Sequence, residues 1–115
     1  MTKKIDAALS DLIANVRNHY GARTAAIYRI ISPRDLDELD RSDAEIVVLL
    51  ADDNWRMLDE QRALGKFTFD ALLHHDVYVR AWPFPAADWH TPLSSQHPRL
   101  IHELREHAIE VRVAA

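Results

Sequence analysis

Residues 41–50 read RSDAEIVVLL, an unbroken aliphatic run that is entered through two carboxylates, Asp43 and Glu45. The run lacks the alternation of a half-buried strand, which predicts a strand over residues 43–50 that is covered on both faces in the middle of a sheet. Side chains at positions i and i+2 of a strand point to the same face. Asp43 and Glu45 are therefore expected to project together.

The segments on either side of this strand alternate between helical and extended patterns. Apolar residues spaced by three and four predict a helix over residues 5–20, which Gly21 ends. The segment RTAAIYRII predicts a strand over residues 23–31, and an acidic loop over 33–43 follows it. Further elements are expected after the central strand: a helix from about 52–54 to His75 with a break or kink near Gly65, a strand over 77–82, an irregular Pro-rich connection over 83–92, a helix after Pro98, and a short final strand through Ile109, Val111 and Val113. This order predicts an α/β or α+β fold, a small mixed sheet flanked by helices.

Composition limits the class of protein. A chain of 115 residues fits one domain over residues 1–115, and it contains no cysteine for disulfides or thiolate metal sites. The formal charge of −4 disfavours nonspecific binding of nucleic acid, which requires a basic surface. The sequence contains neither a signal peptide nor an apolar segment of membrane-spanning length, so the cytoplasm is the default location.

The two acids admit two interpretations from their chemistry alone. Carboxylates on one rigid strand end are suitable ligands for Mg²⁺, which prefers hard oxygen donors and completes its octahedron with water and substrate phosphates. The alternative is that Asp43 and Glu45 are solvated acids at a strand end, without a catalytic role.

The segment SDAEIVVLL resembles the metal-binding strand of the nucleotidyltransferase (polymerase-beta-like) superfamily, and of the minimal nucleotidyltransferases in particular. In that family a loop ending in Ser-Asp leads into two acids that alternate with apolar residues. A Gly-Ser pair ends the preceding family strand, and this chain has Ile31 and Ser32 there. The resemblance implies that Asp43 and Glu45 hold Mg²⁺ and that Ser32 lies at the phosphates of a nucleoside triphosphate.

Two positions depart from the family pattern. Ile31 replaces a glycine that lets backbone amides approach the phosphates. The third family carboxylate lies on the next strand, where VYVRAW places Arg80, and Asp76 could supply that acid only in a shifted register. The resemblance thus makes Asp43, Glu45 and Asp76 the candidate catalytic acids, with Ser32 and Arg80 as candidate cofactor-binding residues. Alternatively, the Arg80 guanidinium pairs with Asp43 or Glu45 and replaces the metal.

These departures favour a noncatalytic, degenerate nucleotidyltransferase-fold domain that acts as a binding or regulatory partner. The resemblance implies a helical protein as its partner and an antitoxin-like role. The alternative function is Mg²⁺-dependent transfer of a nucleoside monophosphate from a nucleoside triphosphate to a hydroxyl of a protein or small molecule. Two aromatic residues of the Pro-rich connection, Phe84 and Trp89, are expected either to form an exposed partner surface or to pack over the sheet edge.

Overall fold

The computed structural model describes residues 2–31 and 42–111 and has a mixed α+β architecture. The acidic loop predicted after the first strand lies mostly outside the described residues. The helices and strands follow the order α1 (Thr2–Tyr20), β1 (Thr24–Ile30), β2 (Ala44–Leu50), α2 (Met57–His75), β3 (Val79–Pro85), α3 (Ala86–His90), α4 (Pro98–Glu106) and β4 (Ala108–Glu110). The predicted fold class, a small mixed sheet flanked by helices, is confirmed.

The sheet has the strand order β3-β2-β1-β4. Strand β2 runs antiparallel to β1 and parallel to β3, while β4 pairs antiparallel with the other side of β1. All seven residues of β2 are buried, because neighbouring strands flank it and helices cover both of its faces. The aliphatic run therefore forms the central strand that its lack of alternation predicted.

Alternation along the strands divides the core into two layers. Ile46 and Val48 of β2 pack with α1 and α2 on what we term the α1–α2 face. Val47 and Leu49 point the other way and pack with α3 and α4 on the α3–α4 face. Glu45 lies two residues before Val47 on the strand, so its side chain points to the same face, the α3–α4 face.

Helix α1 ends as predicted. Its last residue is Tyr20, and Gly21 follows with a φ of 55°, the left-handed conformation that glycine adopts without a Cβ penalty. Leu12 and Val16 are fully buried, which confirms the amphipathic face.

Near Gly65, where a break or kink was predicted, α2 has no break. The helix is continuous from Met57 to His75, although glycine costs about 1 kcal/mol relative to alanine inside a helix. Burial of Leu64 and Ala71 against the core offsets that cost. The helix begins after the predicted Asp52–Asn54 region and ends where Asp76 takes a left-handed conformation, with a φ of 55°.

The Pro-rich segment is more regular than predicted. Strand β3 continues through Pro83 and Pro85, which is tolerated because β3 is an edge strand of the sheet and one row of its amides has no strand to bond. Phe84 and Trp89 are 1% and 4% exposed, so these aromatics pack into the α3–α4 face and do not form an exposed partner surface.

The C-terminal elements follow the prediction in outline. Helix α4 begins at Pro98 and buries Ile101 and Leu104. The short final strand forms as β4, though Val113 lies outside the described residues. Within the described part of the chain, the helices are too short or too polar to cross a membrane.

Candidate functional site

The predicted acids lie where β2 and β3 begin side by side. The parallel register pairs Ala44 with Val79 and Glu45 with Arg80. Directly opposed residues of neighbouring strands share a face, so the Arg80 side chain lies on the same face as Glu45. This register places Arg80, and not Asp76, at the position beside the second acid.

Asp43 holds the start of the parallel ladder together. Its backbone N–H donates to the carbonyl of Tyr78 at 2.8 Å, and its carboxylate Oδ2 accepts from the backbone N–H of Tyr78 at 2.8 Å. One residue thus satisfies both backbone groups of Tyr78 just before β3 begins. Asp43 itself is exposed, so its carboxylate remains in contact with solvent.

Glu45 differs sharply from Asp43 because it is only 8% exposed. Its Oε2 accepts a hydrogen bond from the indole Nε1–H of Trp82 at 2.5 Å. A buried carboxylate is costly unless polar groups compensate it, and the indole donor supplies part of that compensation. The Arg80 guanidinium carbon lies 5.9 Å from the centre of the Trp82 ring, which completes a cluster of acid, indole and guanidinium.

Aromatic packing fixes the position of the Trp82 ring. Trp82 stacks on Phe84 with 6.4 Å between ring centroids and 10° between the planes. Both residues belong to β3, two positions apart, and therefore lie on the α3–α4 face. The donor to Glu45 is thus partly buried and packs against the core of the α3–α4 face.

Asp76 lies at the other side of the strand start. Its backbone N–H caps α2 by donating to the carbonyl of Leu72 at 3.0 Å. Its side chain is 87% exposed and pairs with Lys4 of α1 at 3.2 Å. The described contacts of Asp76 thus lead to α1, while those of Glu45 lead to β3.

The strand that precedes Ser32 ends beside the acids. Ile30 is the register partner of Glu45, and Ile31 donates its N–H to the carbonyl of His107 at 3.0 Å. The Ile31 side chain is 56% exposed. Ser32 lies outside the described residues, so its predicted place at the phosphates stays a prediction.

The carboxylate oxygens of Asp43 and Glu45 decide whether the implied Mg²⁺ fits this site. Both carboxylates already accept a hydrogen bond from the protein, and Glu45 is buried in an apolar layer. Mg²⁺ requires near-octahedral oxygen coordination with several waters, which an exposed carboxylate pair provides more readily. Across residues 2–31 and 42–111, no group of three or more histidine or carboxylate side chains is placed to hold a metal ion. The arrangement fits a closed polar cluster better than an open metal site.

Several polar contacts were not anticipated from the sequence. Trp82 bonds Glu45, His75 Nε2 lies 2.7 Å from Asp11 Oδ2, and the Tyr20 hydroxyl donates to Glu60 at 2.8 Å. Burial and this hydrogen bond raise the pKa of Tyr20 well above its usual value. The i, i+2 spacing of Arg80 and Trp82, which places both side chains on one face of a strand, was the sequence feature that could have indicated the first contact. All three contacts join residues at least 37 positions apart, and for the other two no spacing within one element indicates the contact.

Comparison of the chain with family models, curated proteins and solved structures found no match. The likeness to nucleotidyltransferases therefore depends on the quoted sequence motif and on the order of elements.

Proposed function

We propose that the chain is a noncatalytic domain of the nucleotidyltransferase type that acts as a binding or regulatory partner of a helical protein, with an antitoxin-like role. The observation that carries this proposal is the state of Glu45, which is buried and bonded to the indole of Trp82. A metal ligand must present its oxygens to the ion and its substrate, whereas Oε2 of Glu45 already accepts a hydrogen bond from a side chain that packs against the core.

The register supports the same conclusion. Arg80 stands opposite Glu45, where the family resemblance implies a third carboxylate. A guanidinium at that position repels a divalent cation and can pair with a neighbouring carboxylate in its place. The positive charge of Arg80 thus offsets the negative charge of the acids, which is the role that Mg²⁺ would have between them.

Mg²⁺-dependent transfer of a nucleoside monophosphate is the alternative function, and one observation favours it. Ile30 pairs with Glu45, so the strand end that leads to Ser32 adjoins the acids, as a nucleotide site of this family would require. That function requires Trp82 to release Glu45 and Asp43 to exchange its bond to Tyr78 for a metal ligand.

An amide NMR titration distinguishes the two functions. MgCl₂ is added to the whole chain, followed by ATP and the other nucleoside triphosphates, while residues 31, 43–46 and 76–81 are followed. We expect no saturable shifts at ligand concentrations of about 1 mM, a level at which a working nucleotide site would be largely filled. Saturable shifts that converge on these three segments would overturn the noncatalytic proposal.

A gain-of-binding variant tests the likeness itself. The double substitution Ile31→Gly and Arg80→Asp restores the family residues at both departures, and we expect it to gain affinity for Mg²⁺ and nucleotide. The matched control combines Ile31→Gly with Arg99→Asp, because Arg99 is an exposed arginine of α4 and the change of charge is the same. A double variant that folds but binds no more tightly than this control would refute the proposed alignment with the family.

A further inference from the structure

Helix α2 carries apolar residues on two sides. Leu64 and Ala71 face the core and are buried, as an amphipathic helix requires. On the opposite side Leu58, Phe69, Leu72 and Leu73 are between 44% and 66% exposed. A helix that is apolar on opposite sides is expected to contact a partner on each of them.

These four exposed side chains form a strip that Arg62 interrupts, with Leu58 before it and Phe69, Leu72 and Leu73 after it. At 100° per residue they lie within a sector of about 100°, which is the width of a helix-packing face. Gly65 lies in the same sector, seven residues after Leu58 and seven before Leu72. A Cβ atom added at Gly65 would meet no atom of the described residues within 4 Å. We term this strip, with Gly65 at its centre, the outer α2 surface.

We propose that the outer α2 surface packs against the same surface of a second copy of the chain, with the two helices antiparallel and crossing at Gly65. A two-fold axis at Gly65 brings Leu58 level with Leu72 of the second copy. The missing side chain at the crossing point lets the two backbones approach closely. The surface is therefore self-complementary in shape, as a two-fold interface requires.

The charges along the strip agree with the same arrangement. Arg62 lies within the strip, and Asp70 lies about 80° further round the helix on one flank, on the other side of Gly65 in the sequence. A two-fold axis between antiparallel helices keeps each flank on its own side, so Arg62 faces the Asp70 region of the second copy. The two residues are offset by two positions along the axis, about 3 Å, which an arginine side chain can span.

The size of the surface sets the expected affinity. Helix α2 has 19 residues and is about 28 Å long, so two crossing helices bury less than the standard interface of about 800 Å² per partner. We expect a reversible dimer with a dissociation constant of about 10–100 μM. This inference goes beyond the proposed function and does not depend on the state of Asp43 or Glu45.

Sedimentation equilibrium at increasing concentration tests the dimer. The weight-average mass should rise from 13.2 kDa toward twice that value as the concentration approaches about 1 mM. We expect Phe69→Lys to weaken association at least tenfold, because it removes an apolar side chain and brings a second positive charge beside Arg62 of the other copy. Leu93→Lys is the control, since Leu93 is 92% exposed but lies outside α2. A wild-type chain that stays monomeric throughout overturns the proposal, and so does a Phe69→Lys variant that associates like the control.

Gly65→Ala should change the stability of the monomer and the affinity of the dimer in opposite directions. Alanine favours helix and meets open space, so the Tm of the dilute monomer should rise by a few degrees. The added methyl group separates the crossing backbones, so association should weaken several-fold. Unchanged association together with a raised Tm would overturn the crossing at Gly65.

Cysteine crosslinking tests the antiparallel direction, because the natural chain has no cysteine. Leu58→Cys and Leu72→Cys chains are oxidised separately and as a mixture. We expect the mixture to form disulfide-linked heterodimers in preference to either homodimer. Preferential Leu58→Cys homodimers would indicate parallel helices and overturn the proposal.

Discussion

The two faces of the sheet are built from the same strands but differ in what they bury. The α1–α2 face contributes Ile46 and Val48 from β2 and is apolar along the strand. The α3–α4 face contributes Val47 and Leu49, but its first position is Glu45. Alternate residues of β2 therefore face two different layers: one is purely hydrophobic, and the other contains a buried acid.

This difference shows where specificity enters the fold. Apolar contacts on the α1–α2 face are nondirectional and tolerate exchange among residues of similar volume. The hydrogen bond from Trp82 to Glu45 is directional, so it requires β2 and β3 to pair in one register. We infer that the apolar face supplies most of the stability and that the polar cluster selects the register.

The largest effect should come from truncation on the apolar face. Ile46 is fully buried, and Ile46→Ala should lower the free energy of unfolding by about 2–5 kcal/mol because it leaves a cavity. Urea denaturation measures this change. Ile46→Val is the matched control, with an expected loss of about 0.5–1.5 kcal/mol. Equal losses for both variants would show that the layer collapses around the cavity.

Removal of the indole donor should have a smaller effect on the polar face. Trp82→Phe leaves an aromatic ring but deprives Glu45 of its donor, and we expect a loss of about 1–3 kcal/mol. A double-mutant cycle with Glu45→Leu, which has no acceptor, isolates the coupling, since the change of ring size is common to both arms. Additive losses in the cycle would mean that this hydrogen bond contributes nothing specific.

Tyr20 offers a pH-dependent contrast at the edge of the apolar face. The pKa of its hydroxyl is raised in the folded state, so the unfolded chain loses this proton first as the pH rises past about 10. The stabilisation is fully present below that pH. It falls by up to about 1.4 kcal/mol per pH unit above it.

Tyr20→Phe should remove this dependence. The variant should lose about 1 kcal/mol at neutral pH, where the bond to Glu60 is intact, and the gap from wild type should close above pH 10. Urea denaturation of both proteins between pH 9 and about pH 11 measures the gap, while the titration of other groups cancels. A constant gap across this range would contradict the assignment.

The smallest effect should come from the surface ion pair between Lys4 and Asp76. Both side chains are more than half exposed, so Lys4→Gln should change the free energy of unfolding by less than about 0.5 kcal/mol. The measurement is thermal unfolding at low and high salt. A salt-dependent loss well above this value would show that Asp76 has a structural role beyond its cap on α2.

Much of the fold was accessible from the sequence because periodicity reports burial directly. The aliphatic run of β2 and the three-and-four spacing of α1 identified the central strand and the first helix. The helix does not break near Gly65, because local propensity is weaker than the packing of Leu64 and Ala71. Prolines 83 and 85 suggested irregular structure, whereas an edge strand accommodates them.

The candidate site was less accessible, because its meaning depends on neighbours from other strands. Alternation predicted that Asp43 and Glu45 project together, but Asp43 lies just before β2, and the pattern could not show that one acid is exposed and the other buried. That distinction comes from Trp82 and the α3–α4 layer, which cover Glu45 and leave Asp43 at the strand end. The pairing of Glu45 with Arg80 required the register, which a single sequence does not encode locally.

The parallel pairing of β2 with β3 also has a consequence for folding kinetics. Parallel neighbours cannot be joined by a tight turn, so the chain between Leu50 and Val79 must cross the sheet through α2 before the central ladder can close. The entropy of closing this loop is lost before most of the ladder contacts form. Formation of α2 shortens the unstructured part of the loop, so the helix propensity of residues on its solvent side, Gly65 included, influences how fast the sheet assembles.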